Sequence, residues 1–150
     1  MNEHHDRILR IERAFQAPIE RVFDAWTNAD VLRRWLHAGP NWETPIAEVD
    51  LRVGGSIRIV MRDPADGAEH GAIGEYRLIE RPNRLVFSWT FDDQPDNRQL
   101  IELQLSERDG TTTVVMINSG VATDAQETNQ RTGWQLCLDN LGPALASAQS

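Results

Sequence analysis

The sequence predicts an α+β domain in which an antiparallel sheet packs against helices. From about Glu43 to about residue 118, apolar residues alternate along short segments that are joined by turn-forming residues. On both sides of this region the apolar residues recur at helical spacing instead. Strands joined by short loops pair with their neighbours as an antiparallel meander. At 150 residues, we expect one domain over residues 1–150.

The N-terminal flank predicts one strand followed by two short helices. Residues 7–15 form a β-like run, and Pro18 suits the first position of a helix because its missing N–H costs nothing there. One helical stripe then follows: Ile19, Val22, Phe23 and Trp26. Asn28 is a suitable cap for the second helix, which Gly39-Pro40 ends. Trp26 is expected in the core.

The strand region divides at its turns into about six strands. Gly54-Gly55 and the stretch "DPADG" mark two of these turns, and Asp109-Gly110 is a strong hairpin signal. Together with residues 7–15 this gives a sheet of about six to seven strands.

The C-terminal flank predicts one long helix that lies on the sheet. Thr123 and Gln126 form a capping box, and an apolar stripe follows: Trp134, Leu138, Leu141 and Leu145. A proline inside a helix clashes with the preceding turn, so a kink or break is expected at Gly142-Pro143.

Charge and composition disfavour nucleic acid and membranes as partners. The net charge is −8, and the 15 basic residues are all arginine and evenly spread. No apolar run approaches the roughly 20 residues that span a bilayer. The N-terminus lacks the apolar core of a signal peptide, and the lone Cys137 cannot form an internal disulfide. These features predict a cytoplasmic protein.

The usual catalytic and metal-binding patterns are missing, so no metal and no cofactor is expected. The four histidines (His4, His5, His37 and His70) lack ligand spacing and are interpreted as exposed. Two acidic clusters lack the spacing of calcium loops and suit hairpin turns: Asp63/Asp66/Glu69 and Asp92/Asp93/Asp96. Cys137 is expected to be a buried apolar residue rather than a nucleophile.

The strand from Ala72 to Ile79 allows two registers. In one, Glu75 and Arg77 face the sheet interior, where Glu75 would anchor the polar end of a ligand or act as a general acid or base. In the other, Tyr76 and Leu78 point inward and the charged pair is solvated. Glu75 is the one catalytic candidate in the sequence.

Five stretches in this order resemble a known family: "RAFQAPIERVFDAWTNADVLRRWL", "VDLRVGGSIRIVM", "LIERPNRLVFSWTF", "GTTTVVMINSG" and "GWQLCLDNL". The family is named after the C-terminal domain of the activator of the heat-shock-protein-90 ATPase (AHSA-type) and lies in the START-like (SRPBCC) superfamily. The resemblance implies a helix-grip fold: a curved antiparallel sheet around a long C-terminal helix, with a cavity between them. The chain departs from the family at Asn118, commonly a histidine, and at Gly142-Pro143, where the helix is commonly uninterrupted.

The resemblance implies that a small hydrophobic or aromatic molecule binds in this cavity. The expected ligand-binding residues are Trp35, Trp42, Ile59, Met61, Glu75, Phe87, Trp89, Leu103, Met116 and Trp134. Binding without catalysis is favoured, although core packing alone would also explain the tryptophans. One alternative is a polyketide cyclase or aromatase-like enzyme that uses Glu75. Another is a chaperone-associated interaction protein with a part in the stress response. Exposed edge strands would permit a homodimer.

Overall fold

The computed structural model describes residues 7–39 and 41–147. Seven strands are present: β1 Arg7–Phe15, β2 Glu43–Val49, β3 Ser56–Arg62, β4 Glu69–Glu80, β5 Arg84–Phe91, β6 Gln99–Arg108 and β7 Thr111–Val121. The helices are α1 Ile19–Thr27, α2 Ala29–Trp35 and α3 Asp124–Ser147. The predicted element order is confirmed, and His4 and His5 lie outside the described residues.

The seven strands form one antiparallel sheet in the order β1-β7-β6-β5-β4-β3-β2. Strands β2 to β7 are the expected meander, whereas β1 crosses over to pair with β7. The sheet curves around α3, and α1 and α2 pack against α3 and the sheet. This is the helix-grip architecture. The edge strands are β1 and β2.

Local signals determine the start of α2 and the turn between β6 and β7. The Asn28 side chain accepts hydrogen bonds from the backbone N–H groups of Asp30 and Val31, as a cap of α2 should. Asp109 and Gly110 both have positive φ, at 54° and 82°, which a two-residue hairpin of this type requires.

Of the kink or break expected at Gly142-Pro143, the break is wrong. Helix α3 runs continuously through Gly142 and Pro143 to Ser147. Beyond the proline, Ala144 and Leu145 are buried in the core together with the predicted stripe. The start of the helix is as expected, because the Gln126 N–H donates to the Thr123 hydroxyl over 3.1 Å. None of the helices in the described part of the chain is both long and apolar enough to cross a bilayer.

Candidate functional site: a pocket between the last helix and the sheet

One face of α3 changes character along its length. The residues of this face recur at spacings of three and four: Gln126, Asn129, Gln130, Gly133, Trp134 and Cys137. Beyond them the face is continued by the buried leucines of the core. The first turns of α3 therefore present carboxamides where the later turns present apolar side chains.

A pocket of about 250 Å³ lies against this first half of α3. Its apolar wall is formed by Leu36, Met61, Trp89, Phe91, Trp134 and Cys137. These residues come from the end of α2, from β3, from β5 and from α3. The pocket therefore occupies one end of the cup that the sheet forms, where several elements finish.

The pocket also has a polar wall. It is formed by Asp93, Gln94, Gln126, Asn129 and Gln130. The Gln126 amide donates to the Gln94 side chain over 2.6 Å, and its carbonyl oxygen accepts from the Ala122 N–H over 3.1 Å. The first bond joins the start of α3 to the β5–β6 loop, and the second joins Gln126 to the segment before α3, so both hold the polar wall in place.

The segment after α2 borders the pocket through Leu36 and Ala38. The Asn140 amide fastens this segment to α3, since it approaches the backbone carbonyls of Trp35, His37 and Gly39 at 3.4, 3.0 and 3.3 Å. One side chain of α3 thus fixes this border of the pocket.

His37 is buried behind this segment, so its interpretation as an exposed histidine is wrong. The Thr44 hydroxyl donates to the Leu36 carbonyl over 3.0 Å, and its oxygen lies 2.8 Å from His37 Nδ1. Because a hydroxyl has one proton, Nδ1 must carry the hydrogen of this second bond. Burial lowers the pKa of His37 from its usual 6.5. His70 is exposed, as expected.

We expect the protein to lose stability as the pH falls below about 6.5, because the unfolded chain then binds a proton at His37 that the folded chain resists. Chemical unfolding at about pH 7.5 and about pH 5 measures the loss. In His37→Asn, whose amide can replace the Nδ1 donor, the loss should shrink. His70→Gln should behave like the unsubstituted protein. An equal loss in His37→Asn and the unsubstituted protein would contradict this role.

The tryptophans form a chain of ring contacts from the core to the pocket. Trp26 packs edge-on against Trp35 at 4.6 Å between centroids and lies 6.1 Å from Trp134. Trp134 in turn lies 6.0 Å from Trp89, and these two rings line the pocket. The rings thus pack chiefly against one another, and the pocket begins where this packing ends.

Residues 16–146 match the model of a protein family described as Activator of Hsp90 ATPase homolog 1-like protein. The chain belongs to this family. The resemblance seen in the sequence is therefore confirmed.

Solved structures agree with the membership in the AHSA1-like family. Protein CV1439 from Chromobacterium violaceum is 27% identical, covers 91% of this chain and 95% of its own, and superposes with a TM-score of 0.81. The AHSA1-like protein from Aeromonas hydrophila is 29% identical over 95% of this chain and 94% of its own, with a TM-score of 0.79. CalU16 from Micromonospora echinospora is 26% identical, covers 96% of this chain and 79% of its own, and superposes with a TM-score of 0.71. No curated protein matches the chain.

In this AHSA1-like chain, three of the ten expected ligand-binding residues line the pocket: Met61, Trp89 and Trp134. Five others are buried in the core and do not line it: Trp35, Ile59, Phe87, Leu103 and Met116. Trp42 is half-buried and stacks on His70 with 5.9 Å between ring centroids. The pocket lies between the sheet and the C-terminal helix, as expected, but these large side chains belong to the core rather than to its lining.

The register that would bring Glu75 into the cavity is also wrong. Tyr76 is fully buried on the inner face, whereas Glu75 and Arg77 are exposed. Adjacent strand residues point to opposite faces, so the buried tyrosine places both charged neighbours outside. Glu75 is neither a ligand anchor nor a candidate acid or base for the pocket.

The pocket of this AHSA1-like chain has few titratable groups. Among the described lining residues only Asp93 and Cys137 can ionise. Burial raises the pKa of the Cys137 thiol to about 12, which keeps it protonated at neutral pH and leaves it a poor nucleophile. Across residues 7–39 and 41–147, no three His, Cys, Asp or Glu side chains are grouped so that they could hold a metal ion.

Sequence reasoning missed the polar wall. The signal was present, because extending the Trp134 stripe backwards along α3 reaches Gln130 and Gln126 on the same face. Carboxamides on the core side of a helix indicate either hydrogen bonds to the sheet or a polar space. Here Gln130 accepts a hydrogen bond from Asn118 of the sheet, and both Gln126 and Gln130 line the pocket.

Proposed function

We propose that this AHSA1-like protein binds a small, uncharged, aromatic molecule in the pocket between α3 and the sheet. The observation that carries the proposal is the composition of the pocket's two walls. The rings of Trp89, Phe91 and Trp134 line the pocket together with the carboxamides of Gln94, Gln126, Asn129 and Gln130. Flat rings offer large contact areas to planar ligands, and a few polar groups fix their orientation.

The volume of the pocket sets the size of the ligand. A cavity of about 150 Å³ accommodates benzene. The pocket here measures about 250 Å³, so it can admit a molecule with two fused rings. A long acyl chain would need the centre of the cup, which the core residues occupy.

The charge of the pocket disfavours acidic ligands. None of the described lining residues is an arginine or a histidine, and Asp93 adds a negative charge at the border. A buried carboxylate needs a cation or several donors to offset its desolvation. Neutral ligands avoid this cost.

The proposal is tested with 2-naphthol, a neutral two-ring probe, on a variant whose pocket is filled. An added Cβ at Gly133 would have no heavy atom within 4 Å, so a larger side chain there enters the pocket. Gly133→Leu is expected to abolish binding of 2-naphthol in calorimetric titration. Gly133→Ala adds only a methyl group and should retain binding.

Stability separates a filled pocket from a damaged fold. Both substitutions replace a helix glycine and should raise the free energy of unfolding by up to about 1 kcal/mol. The anion 2-naphthoate should bind the unsubstituted protein at least about tenfold more weakly than 2-naphthol. Binding of 2-naphthol that survives Gly133→Leu would place the probe elsewhere, and a lack of binding to any form would refute the proposal.

A chaperone-associated role is a second proposal that rests on family membership alone. A shared fold is weak support for a shared partner. Retention of the protein by Hsp90 in a pull-down would support the role, and its absence would remove it. Cytoplasmic location and a part in the stress response remain predictions of the sequence.

A further inference from the structure

Several buried polar atoms lie directly behind the pocket wall without hydrogen-bond partners. Gln99 is only 1% exposed, yet neither its amide nitrogen nor its carbonyl oxygen has a partner among the described residues. The same holds for the side-chain oxygen of Asn118 and for the indole N–H of Trp89. Unpartnered polar groups are uncommon in protein interiors, and each calls for an explanation.

The strand register places these groups together. Gln99 on β6 pairs with Trp89 on β5, and Trp89 lines the pocket. Asn118 faces inward on β7 and donates to the Gln130 side chain, which also lines the pocket, over 3.2 Å. Gln99 and Asn118 therefore lie one side chain behind the pocket surface.

The neighbouring strand β7 places no side chain beside Gln99, because its residue there is Gly120. An added Cβ at Gly120 would lie 3.3 Å from the Cα and 3.8 Å from the Cβ of Gln99. Gly120 also has a backbone φ of 87°, which residues other than glycine rarely adopt. A glycine at this position keeps the space beside Gln99 free of a β7 side chain.

We infer that Gln99 is a specificity-determining residue that recognises a hydrogen-bond donor and acceptor held side by side, as in a lactam or another cis amide. The inference rests on the proposed binding function. A carboxamide presents one N–H and one oxygen in a plane, and a cis amide offers the complementary pair. The Gln130 side chain lines the pocket and accepts from Asn118, so its rotation away from Asn118 would open the pocket toward these inner groups. The ligand class is thus a planar aromatic lactam, its rings against Trp89 and Trp134.

The test compares 2-quinolinone, a two-ring lactam, with N-methyl-2-quinolinone, in which the donor is blocked. We expect the lactam to bind about tenfold more tightly or better, because the methyl compound leaves an amide group unpaired. In Gln99→Met, which keeps the length of the side chain but removes its polar atoms, the two probes should bind equally. Affinity for the N-methyl compound should change little.

Tyr76→Phe is the matched control. It also removes an unpartnered buried polar atom, the Tyr76 hydroxyl, but Tyr76 does not line the pocket. This variant should keep the preference for the lactam. Equal binding of the two quinolinones by the unsubstituted protein, or a preference that survives Gln99→Met, would overturn the inference while 2-naphthol still binds. If 2-naphthol and both quinolinones fail to bind, the proposed function itself fails.

Discussion

Replacing Trp35 with alanine is expected to lower the free energy of unfolding by about 3–5 kcal/mol. The Trp35 ring is fully buried, packs edge-on against Trp26 and donates its indole N–H to the Ala25 carbonyl over 2.9 Å. The substitution removes these contacts and leaves a cavity between α1 and α2. Urea unfolding followed by tryptophan fluorescence or circular dichroism measures the loss.

Trp42→Ala is the matched control, because both tryptophans were expected among the ligand-binding residues. Trp42 is only half-buried, and its ring stacks on the exposed His70. We expect this variant to lose less than about 1 kcal/mol. Similar losses in the two variants would contradict the assignment of Trp35 to the core and Trp42 to the surface.

The elements of the fold could be predicted because their signals are local. Asn28 caps α2 through bonds to the next two or three residues, and Asp109-Gly110 closes a turn between adjacent strands. Periodicity likewise depends only on neighbours along the chain. The partner of β1 has no such signal, because Arg7–Phe15 pairs with a strand about a hundred residues later.

The register of β4 depends on contacts that its own sequence does not specify. Ile73, Glu75 and Arg77 alternate with Ala72, Gly74 and Tyr76, so either set satisfies a period of two. The sheet selects the second set because the Tyr76 ring packs edge-on against Phe87 on β5, 6.0 Å between centroids. Burying Tyr76 also avoids the cost of burying two charges.

The continuity of α3 has the same kind of cause. A proline inside a helix costs about 3 kcal/mol, but burial of an apolar side chain such as Leu145 stabilises by about 1.5–3 kcal/mol. Ala144 and Leu145 are both buried beyond Pro143. Tertiary packing therefore offsets a local penalty that the sequence alone shows.

The position of the pocket depends on how completely large side chains fill the cup. The helical stripes indicated which residues face the core, but not that the Trp26 ring would pack against both Trp35 and Trp134. The candidate pocket lies where the first half of α3 carries carboxamides. Met61, Trp89 and Trp134 of the apolar wall were therefore predictable. The stripe along α3 also indicates the face that carries Gln126 and Gln130, but the loop and strand residues that meet this face depend on how the helix lies on the sheet.

Gln99→Met is expected to raise the free energy of unfolding by about 1–3 kcal/mol, the cost of burying unpartnered polar groups. Both amide atoms of Gln99 lack partners among the described residues, and methionine fills a similar space with apolar atoms. A core substitution more often destabilises, so the sign of the change is itself informative. Urea unfolding of the unliganded proteins measures it.

Tyr76→Phe serves again as control, since removal of its unpartnered hydroxyl should also stabilise the protein. Both variants should therefore be more stable than the unsubstituted protein. They should differ in ligand recognition, because Gln99→Met should lose the preference for the lactam and Tyr76→Phe should keep it. A Gln99→Met protein that is less stable than the original would mean that a buried water already satisfies the amide. A more stable protein that no longer distinguishes the quinolinones would show that stability is sacrificed at Gln99 for recognition.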